Sequence, residues 1–322
     1  MKKRISSLMA ITAVLLSVLA QSIAAQINPP MPQQQRDAEK ESYFARFQDH
    51  KRIPTGEEQR LAYEDAKRYL ERFGGDNDSN ARVVQKFVVE YERFIHHYDL
   101  NEAYSAKDYA RTFEIGRLAL RKEPEDFFTL GVMTEAGYDN AVAGNGSLNA
   151  ETVVCARKAI QLIDDGKVAK PDPFKNIDTA RGFLNYALGS LLKDQSPVEA
   201  AAAFSKAVQS DSQFHTDPLA YHRLGAAILK GEFSQVSAEY NEKFGNKPAS
   251  AEQEAMFERI SRLAERAIDA YARAVALSTS PIQQEAKSKI LAQLTALYKT
   301  FHNNSDAGLN ELIETVLSKP LP

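Results

Sequence analysis

The histidines of this chain could transfer protons or bind a metal ion, because imidazole titrates near neutral pH and is a common metal ligand. The chain has six of them: His50, His96, His97, His215, His222 and His302. None lies in an HExxH pattern, and no cysteine lies beside them. His215 and His222 are seven residues apart, which is weak support for a metal site. We therefore predict surface or packing histidines and no metal site.

The other reactive side chains also lack a catalytic arrangement. The single cysteine, Cys155, lies in the apolar run Val153 to Ala156, which predicts burial as a small hydrophobic residue. Acidic residues cluster at Glu123 to Asp126 and at Asp164 and Asp165, but both clusters lie at predicted helix ends, where solvated charges are common. No GxSxG, GxGxxG or P-loop sequence is present. The sequence therefore predicts no catalytic residue, no cofactor and a protein that is not an enzyme.

The first residues of the chain indicate export. A basic start, Lys2 to Arg4, precedes an uncharged apolar run from Ile5 to Ala20, and the small residues Ser22 and Ala24 follow. This is the layout of a secretory signal peptide over residues 1–25, and an uncleaved anchor helix is the alternative. Because no cysteine lies near the cleavage site, a lipoprotein anchor is not expected. We predict a periplasmic or secreted protein with no stable membrane span after cleavage.

The composition favours an all-helical protein. Gly and Pro are few, Trp is absent, hydrophobic residues make up 43% of the chain, and the formal net charge is −3. A mildly acidic chain without a basic block argues against a nucleic-acid partner. Residues 26–40 are rich in Pro and Gln and have no apolar period, so they predict a disordered linker. The helical domain is then expected over residues 41–322.

The stretch from Tyr186 to Ser212 predicts two amphipathic helices joined by a tight connection. Leu188, Leu191 and Leu192 share a face of the first, while Ser196 and Pro197 open the second. Ala200, Phe204, Ala207 and Val208 recur at helical spacing on the second helix. The small residues among them predict two helices that approach each other closely.

This spacing resembles a tetratricopeptide (TPR) unit, which has a Leu-Gly pair on its first helix and an Ala, aromatic, Ala series on its second. Leu188 and Gly189 match the pair, and Ala200, Phe204 and Ala207 match the series. Similar half-units occur at Asp108 to Lys122, at Leu130 and Gly131, and at Tyr221 to Ile228. The resemblance implies antiparallel helix pairs stacked into a TPR-like superhelical array.

One repeat is interrupted by an insertion at about residues 232–262. After Ile228 the expected second helix is missing, and its series appears instead at Ala267, Tyr271 and Ala274. Ser250 and Gln253 form a capping-box pattern, which predicts one long helix from Ala251 to Leu277. We expect the inserted segment to cover one face of the array and to be partly independent of it. Residues 282–318 should form helices that cap the C-terminal end.

The resemblance implies a non-enzymatic scaffold or adaptor that binds a protein or peptide segment in the concave groove formed by the first helices. Carried onto this chain, the groove residues of two neighbouring units are Tyr186, Ser190, Lys193, His222, Ala226 and Lys230. They predict a mildly basic groove for an acidic segment or a chain-terminal carboxylate. Two alternatives are a structural subunit of an envelope complex and a small-ligand binder or enzyme with a pocket under the inserted helices.

Overall fold

The computed structural model of the protein describes residues 31–244 and 250–321. The predicted signal peptide and the first part of the predicted linker lie outside these residues. Every regular element in the described part of the chain is helical, which confirms the all-helical prediction. The α-helices are α1 (Gln33–Lys51), α2 (Gly56–Phe73), α3 (Ser79–Ser105), α4 (Tyr109–Lys122), α5 (Phe127–Val142), α6 (Asn149–Asp164), α7 (Ile177–Leu192), α8 (Pro197–Gln209), α9 (Pro218–Ile228), α10 (Ser234–Phe244), α11 (Ala251–Leu277), α12 (Gln284–Phe301) and α13 (Leu309–Thr315). None of the helices in these residues is both long and apolar enough to cross a membrane.

Local capping residues set several helix starts as the sequence predicts. The Thr55 hydroxyl accepts a hydrogen bond from the backbone N–H of Glu58 at the start of α2. The Ser250 hydroxyl does the same for Gln253 at the start of α11, which spans the predicted range. These side chains satisfy N–H groups that the first helical turn leaves without an intrahelical partner.

The prediction of a disordered linker over residues 26–40 is wrong for its second half, because α1 already begins at Gln33. Its polar first turns are held by ion pairs with a distant residue: the side chains of Arg36 and Lys40 both bind the carboxylate of Asp76, the first at 2.6 Å. The Arg36 guanidinium also lies 5.5 Å from the centre of the Phe73 ring. Partners from another helix therefore order a stretch whose own sequence has no apolar period.

The described residues divide into two compact units, the first ending at Ile95 and the second beginning at His96, and the division falls within α3. In the first unit, α1, α2 and the start of α3 enclose an aromatic core. The Phe47 ring is fully buried and lies 5.1 Å from the Phe87 ring, centre to centre. Tyr69 is also fully buried between α1 and α2 side chains.

In the second unit, consecutive helices pack against each other along most of the chain. At the α7–α8 contact, a Cβ on Gly189 would lie 3.0 Å from the ring of Phe204, which is fully buried. At the α9–α11 contact, a Cβ on Gly225 would lie 2.7 Å from the Tyr271 ring. Glycine at these two positions allows an aromatic ring to rest on the backbone of the neighbouring helix.

A kinked turn at Leu229–Phe233 follows α9 directly and leads into the inserted segment. Gly231 in this turn has non-helical backbone angles and packs on the start of α8, where its Cβ would lie 2.9 Å from the Val198 backbone nitrogen. Phe233 contacts Phe301, and Val236 is buried in the main core of the second unit. The start of the insertion is therefore part of the core. Only the residues of the insertion beyond Val236 can therefore be independent of this core.

The C-terminal helices α12 and α13 pack on α11, at the place where capping helices are expected. The side chain of Arg273 on α11 is buried and pairs with Asp269 at 2.6 Å. The same guanidinium donates hydrogen bonds to the backbone carbonyls of Lys319 and Pro320. The last described residues are thus attached to the long helix.

Candidate functional site

Two of the reactive side chains singled out in the sequence meet, because His97 Nε2 lies 2.7 Å from Asp126 Oδ2. The His215 imidazole hydrogen-bonds through Nδ1 with the Val208 carbonyl at 2.8 Å, while His222 points to different partners described below. Cys155 is buried, and burial raises the pKa of its thiol to about 12. Within residues 31–244 and 250–321, no group of three or more His, Cys, Asp or Glu side chains could hold a metal ion.

A small cavity of about 160 Å³ lies at the C-terminal ends of α7 and α9. Its lining contains three of the predicted groove residues, Lys193, Ala226 and Lys230. Four further residues complete it: Asp194, Phe204, Arg223 and Ala227. Phe204 and Ala227 are buried and form an apolar floor, while the charged groups stand around the opening. The lining carries three positive charges and one negative charge, so it is a cationic site in a mildly acidic protein.

Two side chains of α7 position the Arg223 guanidinium. Its carbon Cζ lies 5.0 Å from the centre of the Tyr186 ring, a cation–π contact. One of its nitrogens donates a hydrogen bond to the Ser190 hydroxyl at 2.8 Å, and that hydroxyl donates to the Tyr186 carbonyl at 2.7 Å. Among the described residues, Ser190 is the only hydrogen-bond partner of Arg223. A guanidinium has five N–H donors, so this one is held in place with most of its donors available to an acid.

The two lysines of the cavity share one internal acid. Lys230 Nζ lies 2.6 Å from Asp194 Oδ1, and Lys193 Nζ binds the other carboxylate oxygen. Hydrogen bonds from Lys193 and then from Lys230 lower the pKa of Asp194 to about 2. All three side chains are more than half exposed, so these contacts can exchange with solvent and with a ligand.

Lys230 directly precedes a kink in the chain. Gly231 has backbone angles of φ −89° and ψ −111°, which are not helical, so the register of α9 ends after Lys230. The close packing of Gly231 on the start of α8 fixes this kink beside the connection between α7 and α8, where Lys193 and Asp194 lie.

The structure does not bring Tyr186 and His222 to the cavity lining. Tyr186 is 4% exposed, and its ring stacks on the Phe214 ring at 4.3 Å between centres. Its contribution to the site is therefore the cation–π contact with Arg223. The His222 ring lies on another side of α9, where it stacks on Tyr271, and its Nε2 is 3.0 Å from Oε1 of Gln293. Ser190 reaches the site through its hydrogen bond with Arg223.

Sequence reasoning missed Arg223 and Asp194. A signal for Arg223 is present, because it lies three residues before Ala226 and seven before Lys230, on the same helical face as both. The family positions pointed to His222 instead, one residue away and about 100° around the helix. Asp194 directly follows Lys193, but only the fold shows that its carboxylate lies between lysines of two elements.

A second group of charged side chains lies on α5. The Tyr104 hydroxyl donates to Asp139 Oδ2 at 3.0 Å. Glu135, one helical turn before Asp139, is half-buried, and burial first and the Asp139 charge second raise its pKa to about 7. The carboxyl groups of Glu135 and Asp139 therefore lie close together and partly away from water. This part of α5 is acidic, whereas the cavity beside α9 is cationic.

A larger recess of about 470 Å³ lies in the first unit, between the end of α2 and the outer face of α3. Four charged side chains line it, Arg82, Lys86, Glu90 and Arg93, so its charges match those of the cavity beside α9. Lys86 and Glu90 pair with each other at 3.8 Å and are 77% and 58% exposed, so these walls exclude little water.

A comparison with models of known protein families finds no match, and a comparison with curated proteins finds no significant match. Function is therefore argued from the chemistry of the cavity and from the helices that build it.

Proposed function

We propose that this chain is an exported, non-enzymatic scaffold with a TPR-like array, and that it binds an acidic segment of a partner protein. The resemblance in the Leu-Gly pairs is supported by packing: Gly189 contacts Phe204 of α8, and Gly225 contacts Tyr271 of α11. In both cases a glycine of the first helix accepts the aromatic residue of the second helix of its unit. The sequence features of the signal peptide support export.

The cationic cavity is the observation that carries this proposal. Arg223, Lys193 and Lys230 project around one opening, and only one internal carboxylate offsets them. The Arg223 fork matches a carboxylate in shape as well as in charge. The apolar floor of Phe204, Ala226 and Ala227 would contact the aliphatic part of an acidic side chain. A cavity of this size accommodates one such group, and the rest of the segment would lie along the neighbouring helices.

Charge reversal of the two lysines tests the proposal. The protein and a Lys193→Glu, Lys230→Glu variant are immobilised and used to capture proteins from the envelope fraction, with identification by mass spectrometry. We expect a specific set of acidic-segment proteins to be lost from the variant. Direct binding of the leading candidate to both purified proteins then measures the change in Kd.

The control must carry the same change in charge at sites with no role in the cavity. Lys158 and Lys167 are the matched control, because both pair with Glu125 as Lys193 and Lys230 pair with Asp194, so reversal creates the same repulsive cluster away from the cavity. Equal loss of capture in the Lys158→Glu, Lys167→Glu control, or no loss in the cavity variant, would contradict the proposal.

A further inference from the structure

Asp194 lies at a position where helix stability alone would not favour a carboxylate. It lies directly after Lys193, the C-cap of α7, where the partial negative charge of the helix end disfavours a carboxylate. It is 64% exposed and lies in the short connection before α8, so it is not held by burial. Its carboxylate instead contacts the two cavity lysines, one through each oxygen.

This carboxylate lies where an incoming acid would have to bind. Lys193 and Lys230 are lining residues of the cavity, and Asp194 bridges their ammonium groups. A ligand carboxylate that enters beside Arg223 meets the negative charge of Asp194 next to the same lysines and competes with it for their ammonium donors. The exposed connection allows that side chain to turn outward without disturbing the buried floor.

We propose that Asp194 is an internal substitute for the acidic group of the ligand and sets the affinity of the cavity by competing with it. This inference rests on the proposed function, because it assigns a role to a residue of the same site. The ligand is an acidic peptide segment that contributes a side-chain carboxylate. Asp194 discriminates against weakly acidic segments, because only a ligand that gains contacts with Arg223 as well as the lysines replaces it favourably.

The prediction is that Asp194→Asn tightens binding of acidic peptide. Asparagine keeps the size of the side chain but removes the charge that neutralises the lysines. The probe is a rhodamine-labelled peptide amide of alternating Glu and Ser, and its partner probe has Gln in place of Glu. Fluorescence anisotropy at moderate salt measures Kd for the full-length protein and each variant. We expect the Kd of the Glu peptide to fall about two- to fivefold, the range of an exposed ion pair.

Asp178→Asn is the matched control, because it makes the same charge change at the other end of α7. Asp178 lies in the first turn of α7, at the opposite end of the helix from Asp194, and pairs with Arg181. Unchanged affinity in Asp194→Asn, or equal tightening in both variants, would overturn the inference and leave the proposed function standing. If neither the protein nor Asp194→Asn prefers the Glu peptide to the Gln peptide, the proposed function fails and this inference fails with it.

Discussion

At the scale of single residues, Glu135 on α5 shows how placement changes the chemistry of an ordinary carboxyl group. Burial and the neighbouring Asp139 raise its pKa from 4.5 to about 7. The unfolded chain returns this carboxyl group to an ordinary pKa. Between about pH 4.5 and pH 7 the folded state therefore binds more protons than the unfolded state, and the free energy of unfolding falls as pH rises through that window.

We expect Glu135→Gln to raise the free energy of unfolding at pH 8 by about 1–2 kcal/mol, because the amide removes a buried charge without removing the side chain. At pH 4 the wild-type carboxyl group is protonated, and the variant should differ by less than about 0.5 kcal/mol. Urea unfolding at the two pH values measures both numbers. Glu311→Gln, at an exposed position of α13, is the control and should show no such dependence on pH. An equal effect at both pH values would contradict the assignment of the raised pKa.

The sequence predicted the cationic character of the site but only part of its membership. Lys193, Ala226 and Lys230 were predicted by the family resemblance, from their positions beside the Leu-Gly pairs. The support of Arg223 by Tyr186 and Ser190 could not be predicted, because it depends on how α7 and α9 meet in space. His222 was expected in the groove, and its stacking on Tyr271 again depends on a helix far along the chain.

At the scale of helices, the predicted boundaries succeed where a local capping group defines them. The long helix α11 starts at the predicted residue because Ser250 caps its first turn, and it also ends at the predicted Leu277. The kink at Gly231 was not predicted, because it depends on packing against the backbone of α8. The start of α1 was missed for a similar reason, since the ion pairs of Arg36 and Lys40 reach a residue beyond the next helix. Contacts with residues far along the chain cannot be seen in the local periodicity of the sequence.

The burial of Val236 leads to a prediction about the start of the inserted segment. Val236 is 3% exposed and belongs to the core of the second unit, so Val236→Ala should lower the free energy of unfolding by about 1–2 kcal/mol. Val198 on α8 is 44% exposed and offers the same substitution without a cavity. Thermal and urea unfolding of both variants test the difference. If Val236→Ala were no more destabilised than Val198→Ala, even the first turn of the inserted segment would contribute nothing to the stability of the core.

At the scale of the whole molecule, the buried apolar side chains form separate groups along the chain. The core of the first unit draws on residues from Phe47 to Val88, and the main core of the second on residues from Phe113 to Val316. A protein with separate cores can open one region while another keeps its structure, with amide protection reporting each region's own stability.

Two matched truncations test this division. Phe47→Ala and Phe204→Ala each remove a fully buried ring, one from each unit, at an expected local cost of about 3–5 kcal/mol. Hydrogen exchange followed by mass spectrometry should show faster exchange in α1 and α2 for Phe47→Ala, with α7 to α9 unchanged. Phe204→Ala should give the opposite pattern, with α7 to α9 exchanging faster and α1 and α2 unchanged. Peptides from α3 are left out of the comparison, because this helix belongs to both units. Loss of protection across all helices in either variant would mean that the chain unfolds as a single cooperative unit despite its separate cores.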